Sequence, residues 1–177
     1  MAHTLLHLSR TFDASHVLPG HPGKCGRLHG HTYRADVWLS GPVTAADGML
    51  LDYGEIKTII DAWDHRHLND EVSFPPTAEL LAAELQYRLL AALRGRLEEV
   101  AESRADARAD GVAVEATGTP WAGVADPVEP ASLAGCIVRL HETPGSYAQV
   151  GYLTVERPAL DGEIRIEREF APPVGIA

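Results

Sequence analysis

The sequence predicts an α+β fold in which helices cover one face of an antiparallel sheet. Three observations carry this reading: alternating apolar stretches near the N-terminus, a further pair near the C-terminus, and helix-period stripes between them, in the order β-β-α-α-β-β. At 177 residues the chain fits one domain and is long enough to bury a sizeable core.

From Leu6 to His16 the even positions read Leu6, Leu8, Arg10, Phe12, Ala14 and His16, a period-2 pattern interrupted only by Arg10, so this is a first strand. The following VLPGHPGKCGRL, rich in glycine and proline, is a loop. A second strand runs from His29 to Leu39, with Tyr33, Ala35, Val37 and Leu39 on the parity of His29 and His31. Asp52 and Glu55 have capping-box spacing, and Ile56, Ile59, Ile60 and Trp63 follow as one helical face. That helix ends near WDHRHLND. After FPP, Thr77 is an N-cap, Glu79 favours the positive helix end, and Leu81, Leu85, Leu89, Leu93 and Leu97 form the stripe of a longer helix starting at about Ala78.

Residues at about 95 to 135 have no sustained period and read as an inserted loop. CIVRLHE and YAQVGYLTV flank TPGS as a hairpin, and GEIRIEREF can add an edge strand. The expected architecture is a four-stranded antiparallel sheet with two helices on one face, in a single domain spanning 1 to 177.

A net charge of −10 and a pI near 5.3 leave no broad basic field, which argues against a nucleic-acid groove. Two cysteines, Cys25 and Cys136, are too few for a disulfide framework and fit a reducing cytoplasm. No run approaches the ~18 apolar residues of a membrane span, and the N-terminus lacks a signal-peptide pattern. A soluble, unprocessed protein is expected.

In a strand, residues i and i+2 project from one face, so His29 and His31 can offer two imidazoles to one ion. His16 ends the neighbouring strand on its apolar face. Three histidines with one open position is the arrangement of a catalytic zinc site. Cys25 reads in three ways: a fourth ligand closing the site, a loop thiol, or an acid/base or nucleophile whose thiolate form Lys24 and Arg27 favour. Cys136, amid GCIV, reads as a small core residue. Asp64 beside His65 can orient that imidazole and make it a proton donor, although adjacency alone also fits a surface pair; His67 is a further candidate. Glu142, ending an apolar strand, can accept two parallel hydrogen bonds from a ring that carries an N–H beside an exocyclic amine, as guanine and pterin rings do. Glu79 is either a helix-start charge or a ligand contact. His3, His7 and His21 have no evident partner.

Taken together, F-x-A-x-H at Phe12 to His16, C-x3-HGH at Cys25 to His31, G-x-x-x-D-[FY] at Gly48 to Tyr53, the Asp64–His65 pair before LND, PTAE at Pro76 to Glu79 and HETP at His141 to Pro144 resemble the 6-pyruvoyl-tetrahydropterin synthase and 6-carboxy-tetrahydropterin synthase family. The resemblance implies a tunnelling fold (T-fold), in which several subunits, a hexamer being favoured, join their sheets into a barrel with active sites between neighbours. It implies that His16, His29 and His31 bind Zn2+, that Cys25 is the catalytic thiol, and that Asp64 and His65 are a second acid/base element. Glu142 then anchors the pterin ring, Thr77 and Glu79 help hold the pterin in a neighbouring subunit's pocket, and Lys24 and Arg27 are candidates to meet a triphosphate. The three-residue gap between Cys25 and HGH resembles the bacterial 6-carboxy branch of 7-deazapurine and queuosine biosynthesis. The implied substrate is 7,8-dihydroneopterin triphosphate. Two features depart from that branch: TPGSYAQV after Glu142 is closer to the pyruvoyl branch, and the 95–135 insertion lies outside the usual compact chain. The competing readings are a pyruvoyl-tetrahydropterin synthase and a non-catalytic zinc module with Cys25 as fourth ligand.

Overall fold

The computed structural model describes residues 3–43, 47–109, 134–158 and 164–169. β1 (His3–His16) and β2 (His29–Pro42) form a long antiparallel ladder running from His3 opposite Pro42 to His16 opposite His29. β4 (Gly135–Thr143) pairs with β2, β5 (Ser146–Pro158) with β4, and β6 (Ile164–Glu169) with β5, all antiparallel. On the far side of β1, the two-residue β3 (Arg66–His67) adds in parallel, Ala14 opposite Arg66.

The sheet therefore has six strands, ordered β3-β1-β2-β4-β5-β6, rather than the expected four. One extra strand is the alternating C-terminal run at the edge. The other is too short to carry a period and exists only because β1 offers it an edge.

Asp52 caps α1 (Tyr53–Asp61), its carboxylate accepting the Gly54 N–H. A single-turn α2 (Leu68–Glu71) follows β3, and α3 (Ala78–Ala109) starts behind Thr77, whose hydroxyl accepts the Leu80 N–H at 3.4 Å. Here the structure corrects the expected loop: the helix continues through residues 95 to 109. Beyond Leu97 the chain is rich in Ala, Glu and Arg, strong helix formers that need no apolar stripe. The rest of that insertion, residues 110–133, lies outside the described residues.

The helices pack on one face of the sheet, as expected for the α+β class. Phe12, Tyr33, Ala35, Val37, Leu39, Cys136, Val138 and Leu140 meet Ile56, Ile60 and Trp63 from the α1 side and Leu81, Leu85, Leu89 and Leu93 from α3 in one core. Each Val, Leu, Ile or Phe among them contributes roughly 1.5–3 kcal/mol by leaving water. Burial pushes the Cys136 thiol well above its ordinary range, as befits a core residue. Arg10, the polar intruder in the β1 pattern, reaches the end of α1, where its guanidinium donates two 2.8 Å hydrogen bonds to Asp61.

Gly151 of β5 lies opposite Ile137 with φ +97°, and a Cβ there would collide with the Cys136 carbonyl and the Gln86 amide. Gly151→Ala is expected to cost roughly 1–3 kcal/mol in urea unfolding. Gly145→Ala, where a Cβ meets nothing within 4 Å, should stay within about 0.5 kcal/mol of the parent.

Candidate functional site

The β1–β2 register sets His16 opposite His29 and Ala14 opposite His31, so all three imidazoles gather on the helix-facing side. Their ring centroids are 4.4 Å (His16–His29), 5.2 Å (His16–His31) and 5.0 Å (His29–His31) apart, and one ligand-capable nitrogen from each lies within 4.8 Å of the others. Gly30, between the two β2 histidines, is where the strands approach closely: a Cβ there would stand 3.0 Å from the Ala14 carbonyl oxygen.

His16 Nδ1 is 2.8 Å from the Pro76 carbonyl, and His29 Nδ1 is 2.8 Å from the Arg27 carbonyl. A carbonyl only accepts, so both Nδ1 atoms carry the proton and both Nε2 atoms present a lone pair. His16 Nε2 is buried and, among the described residues, has no hydrogen-bond partner. A buried lone pair facing two further imidazoles fits a metal ion, and the donor set suits zinc among others. Burial holds the His16 imidazolium form down, chiefly by desolvation, and so favours the neutral, ligating form.

The β4–β5 pairing shifts register between His141 and Thr143, and at this bulge Glu142 turns toward the triad, its Oε1 4.0 Å from His16 Nε2. His141 points to the other face, where its Nε2 lies 3.1 Å from Asp36 Oδ2, and Ser9 Oγ donates to the other Asp36 oxygen at 2.6 Å. Both His141 and Asp36 are buried. This network anchors His141, the residue just before Glu142. Tyr33 completes the triad's surroundings, edge-on to His31 at 5.4 Å and to His16 at 6.0 Å.

Asp64 and His65 stand at the sheet edge. Asp64 Oδ1 accepts the Asp13 N–H at 2.9 Å, the His65 N–H donates to the Asp13 carbonyl at 2.6 Å, and His65 Nδ1 lies 2.9 Å from Asp64 Oδ2. The hydrogen bond from the Asp13 N–H, then that from His65, hold the Asp64 carboxyl below its usual range, so it stays ionised beside the imidazole. His65 has φ +57°, the one positive value among the described non-glycine residues. The Asp13 carboxylate accepts from Thr32 Oγ1 and joins Asp64 and His65 in a second cluster with ligand atoms within 4.8 Å. Asp13 alternates with Ala14 and His16 along β1, so the triad and the Asp64–His65 pair gather on opposite faces of the β1–β2 ribbon.

Cys25 occupies a one-turn 3-10 segment, Lys24–Gly26, and its carbonyl accepts the Leu18 N–H at 2.8 Å. It is half-buried and belongs to neither ligand cluster. Lys24, Arg27 and Glu79 are exposed, and Thr77 acts as the α3 cap. The unassigned histidines have local partners: His7 stacks on Trp38 at 4.8 Å, His21 Nδ1 accepts the Gly23 N–H at 3.0 Å, and His67 Nδ1 lies 3.1 Å from Ser15 Oγ. Sequence reasoning missed Pro76, Arg27 as a backbone acceptor, Asp13 and the Ser9–Asp36–His141 network. Carbonyl acceptors leave no trace in side-chain patterns, and the network joins strands far apart in the chain.

Residues 6–126 match the family model described as 6-pyruvoyl tetrahydropterin synthase. The chain belongs to this family. The matched span holds the triad, Cys25, the Asp64–His65 pair, Thr77 and Glu79, while Glu142 lies beyond it. An Archaeoglobus fulgidus relative named putative 6-carboxy-5,6,7,8-tetrahydropterin synthase is 32% identical over 111 residues, covering 59% of this chain and 95% of that protein. The Synechocystis protein named 6-carboxy-5,6,7,8-tetrahydropterin synthase is 39% identical over 83 residues, covering 41% of this chain and 64% of that one. The solved 6-pyruvoyl tetrahydropterin synthase of Caenorhabditis elegans superposes with a TM-score of 0.48 at 21% identity, over 85% of this chain and 96% of that one. No described helix is long and apolar enough to cross a membrane.

Burial lowers the values of both His16 and His141 from the ordinary 6.5. The unfolded chain then takes up protons before the folded one, so their contribution to stability is intact above about 6.5 and is lost as pH falls through that value toward the depressed ones. Thermal unfolding of metal-free protein is expected at lower temperature at about pH 5.5 than at about pH 7.5. The fall should be shallower in His16→Asn.

Proposed function

We propose that this protein is a zinc-dependent lyase that converts 7,8-dihydroneopterin triphosphate and one water to 6-carboxy-5,6,7,8-tetrahydropterin, acetaldehyde and triphosphate, in 7-deazaguanine or queuosine-type biosynthesis. The observation that carries this reading is the conjunction of a ring-anchoring carboxylate and a metal-competent triad, with Glu142 Oε1 4.0 Å from His16 Nε2. The names borne by relatives at 32% and 39% identity support the carboxy product over the pyruvoyl one.

In this scheme His16, His29 and His31 hold zinc, which supplies Lewis-acid polarisation of the substrate's side-chain hydroxyls. Glu142 accepts two hydrogen bonds from the pterin's ring N–H and exocyclic amine. Cys25, outside the histidine cluster but on the loop leading into it, removes a proton as thiolate. His65, oriented by the ionised Asp64, returns one. Because the Asp64–His65 pair and the triad gather on opposite faces of the ribbon, a complete site draws the pair from a second copy, consistent with a hexameric T-fold barrel. Thr77, which caps α3, and the exposed Glu79 help hold the pterin in a neighbouring subunit's pocket. Lys24 and Arg27, exposed on the Cys25 loop, are the cations available to the triphosphate. A single-domain, cytoplasmic enzyme is the simplest form of this reading.

Incubation with 7,8-dihydroneopterin triphosphate is expected to release acetaldehyde, detected by mass spectrometry with the carboxypterin. A product retaining the three-carbon side chain would reject the carboxy assignment in favour of the pyruvoyl one. Cys25→Ala is expected to keep its zinc while losing turnover by roughly 100-fold or more. Zinc lost along with the thiol would instead mark Cys25 as a fourth ligand.

A further inference from the structure

One polar atom beside the triad has no part in that scheme. Tyr33 is fully buried, and among the described residues its hydroxyl has no hydrogen-bond partner. An unpaired buried hydroxyl costs roughly 1–3 kcal/mol. Phenylalanine would fill the same space without that cost, so the oxygen calls for a partner that the described residues do not supply.

The position of Tyr33 says where that partner binds. It lies two residues beyond His31 on β2 and so shares the triad's face. On one flank it is paired with Phe12, the rings stacked at 5.0 Å. On the other, β2–β4 pairing sets Arg34 opposite His141, which makes Tyr33 and Glu142 the next cross-strand neighbours. Packing against Phe12, His16 and His31 leaves the ring little freedom to turn. Tyr33 thus adjoins both Glu142 across the strand pair and the imidazoles of the triad. The other buried unpaired nitrogens, those of His7, Trp38 and Trp63, are not among the groups that ring the triad.

We propose that Tyr33 is a substrate-binding residue, whose hydroxyl forms a hydrogen bond with a side-chain hydroxyl of the pterin ligand, between the ring held at Glu142 and the histidine triad. This rests on the reading of the pocket as a pterin site. A pterin's hydroxylated side chain spans that interval, and a phenol is suited to it because it both donates and accepts.

The test uses full-length, zinc-loaded protein and two probes in calorimetric titrations: neopterin, which carries the trihydroxypropyl side chain, and pterin, which has none. Tyr33→Phe is expected to weaken neopterin binding roughly 3- to 10-fold. Pterin affinity, zinc content and thermal stability should match or exceed those of the parent. Unchanged neopterin binding in Tyr33→Phe, or equal weakening of both probes, would overturn the proposal while leaving the pterin reading standing. If the parent protein bound neither probe, the pterin reading would fail and this proposal with it.

Discussion

The site depends on the register of the β1–β2 ladder. With His16 opposite His29 and Ala14 opposite His31, three imidazoles from two strands converge on one face. Because side chains alternate with period 2, a slip of one residue would turn His29 and His31 to the opposite side and leave His16 alone. On the opposite face, Ser9 donates to Asp36 and Thr32 to Asp13 across the same ladder, and both hydrogen bonds match this register. The register is also held by Leu6, Leu8, Phe12, Ala14, Tyr33, Ala35, Val37 and Leu39, which must face the helices together to be buried. Core packing therefore sets the geometry of the metal ligands, and the site inherits the stability of the core.

The second constraint comes from backbone carbonyls. Pro76 precedes the Thr77 cap of α3, and its carbonyl receives the His16 Nδ1 hydrogen; the Arg27 carbonyl does the same for His29. Each fixes a tautomer and turns Nε2 toward the centre. The start of the long helix thus both covers the core and orients a ligand. At the sheet edge the backbone of Asp13 plays the reverse part: its N–H and carbonyl, lacking a strand neighbour, take up Asp64 and His65 and hold them in place.

The two faces of the ribbon offer different electrostatic surroundings. His16 and Tyr33 are buried, so desolvation disfavours their charged forms and the neutral ones dominate. Asp64 lies in reach of N–H donors and stays ionised. The imidazole cluster around a neutral His16 and the ionised Asp64 beside His65 are thereby kept on opposite sides of two strands.

Much of this was legible in the sequence. Alternation gave β1, β2 and the β4–β5 hairpin, cap chemistry at Asp52 and Thr77 located α1 and α3, and the parity of His29, His31 and His16 announced the triad. The last turns of α3 were not legible, because a stretch rich in Ala, Glu and Arg carries no apolar stripe; nor was β3, two residues long and dependent on the edge that β1 presents. The residue types and their spacing by themselves determined which side chains could bind a metal or anchor a ring. Only the tertiary structure decided that Glu142 reaches the triad, that Tyr33 adjoins both with no hydrogen-bond partner among the described residues, and that the Asp64–His65 pair gathers on the opposite face. Those relations arise from cross-strand register, a bulge and backbone hydrogen bonds between segments far apart in the chain, and none of them leaves a periodic mark on the sequence.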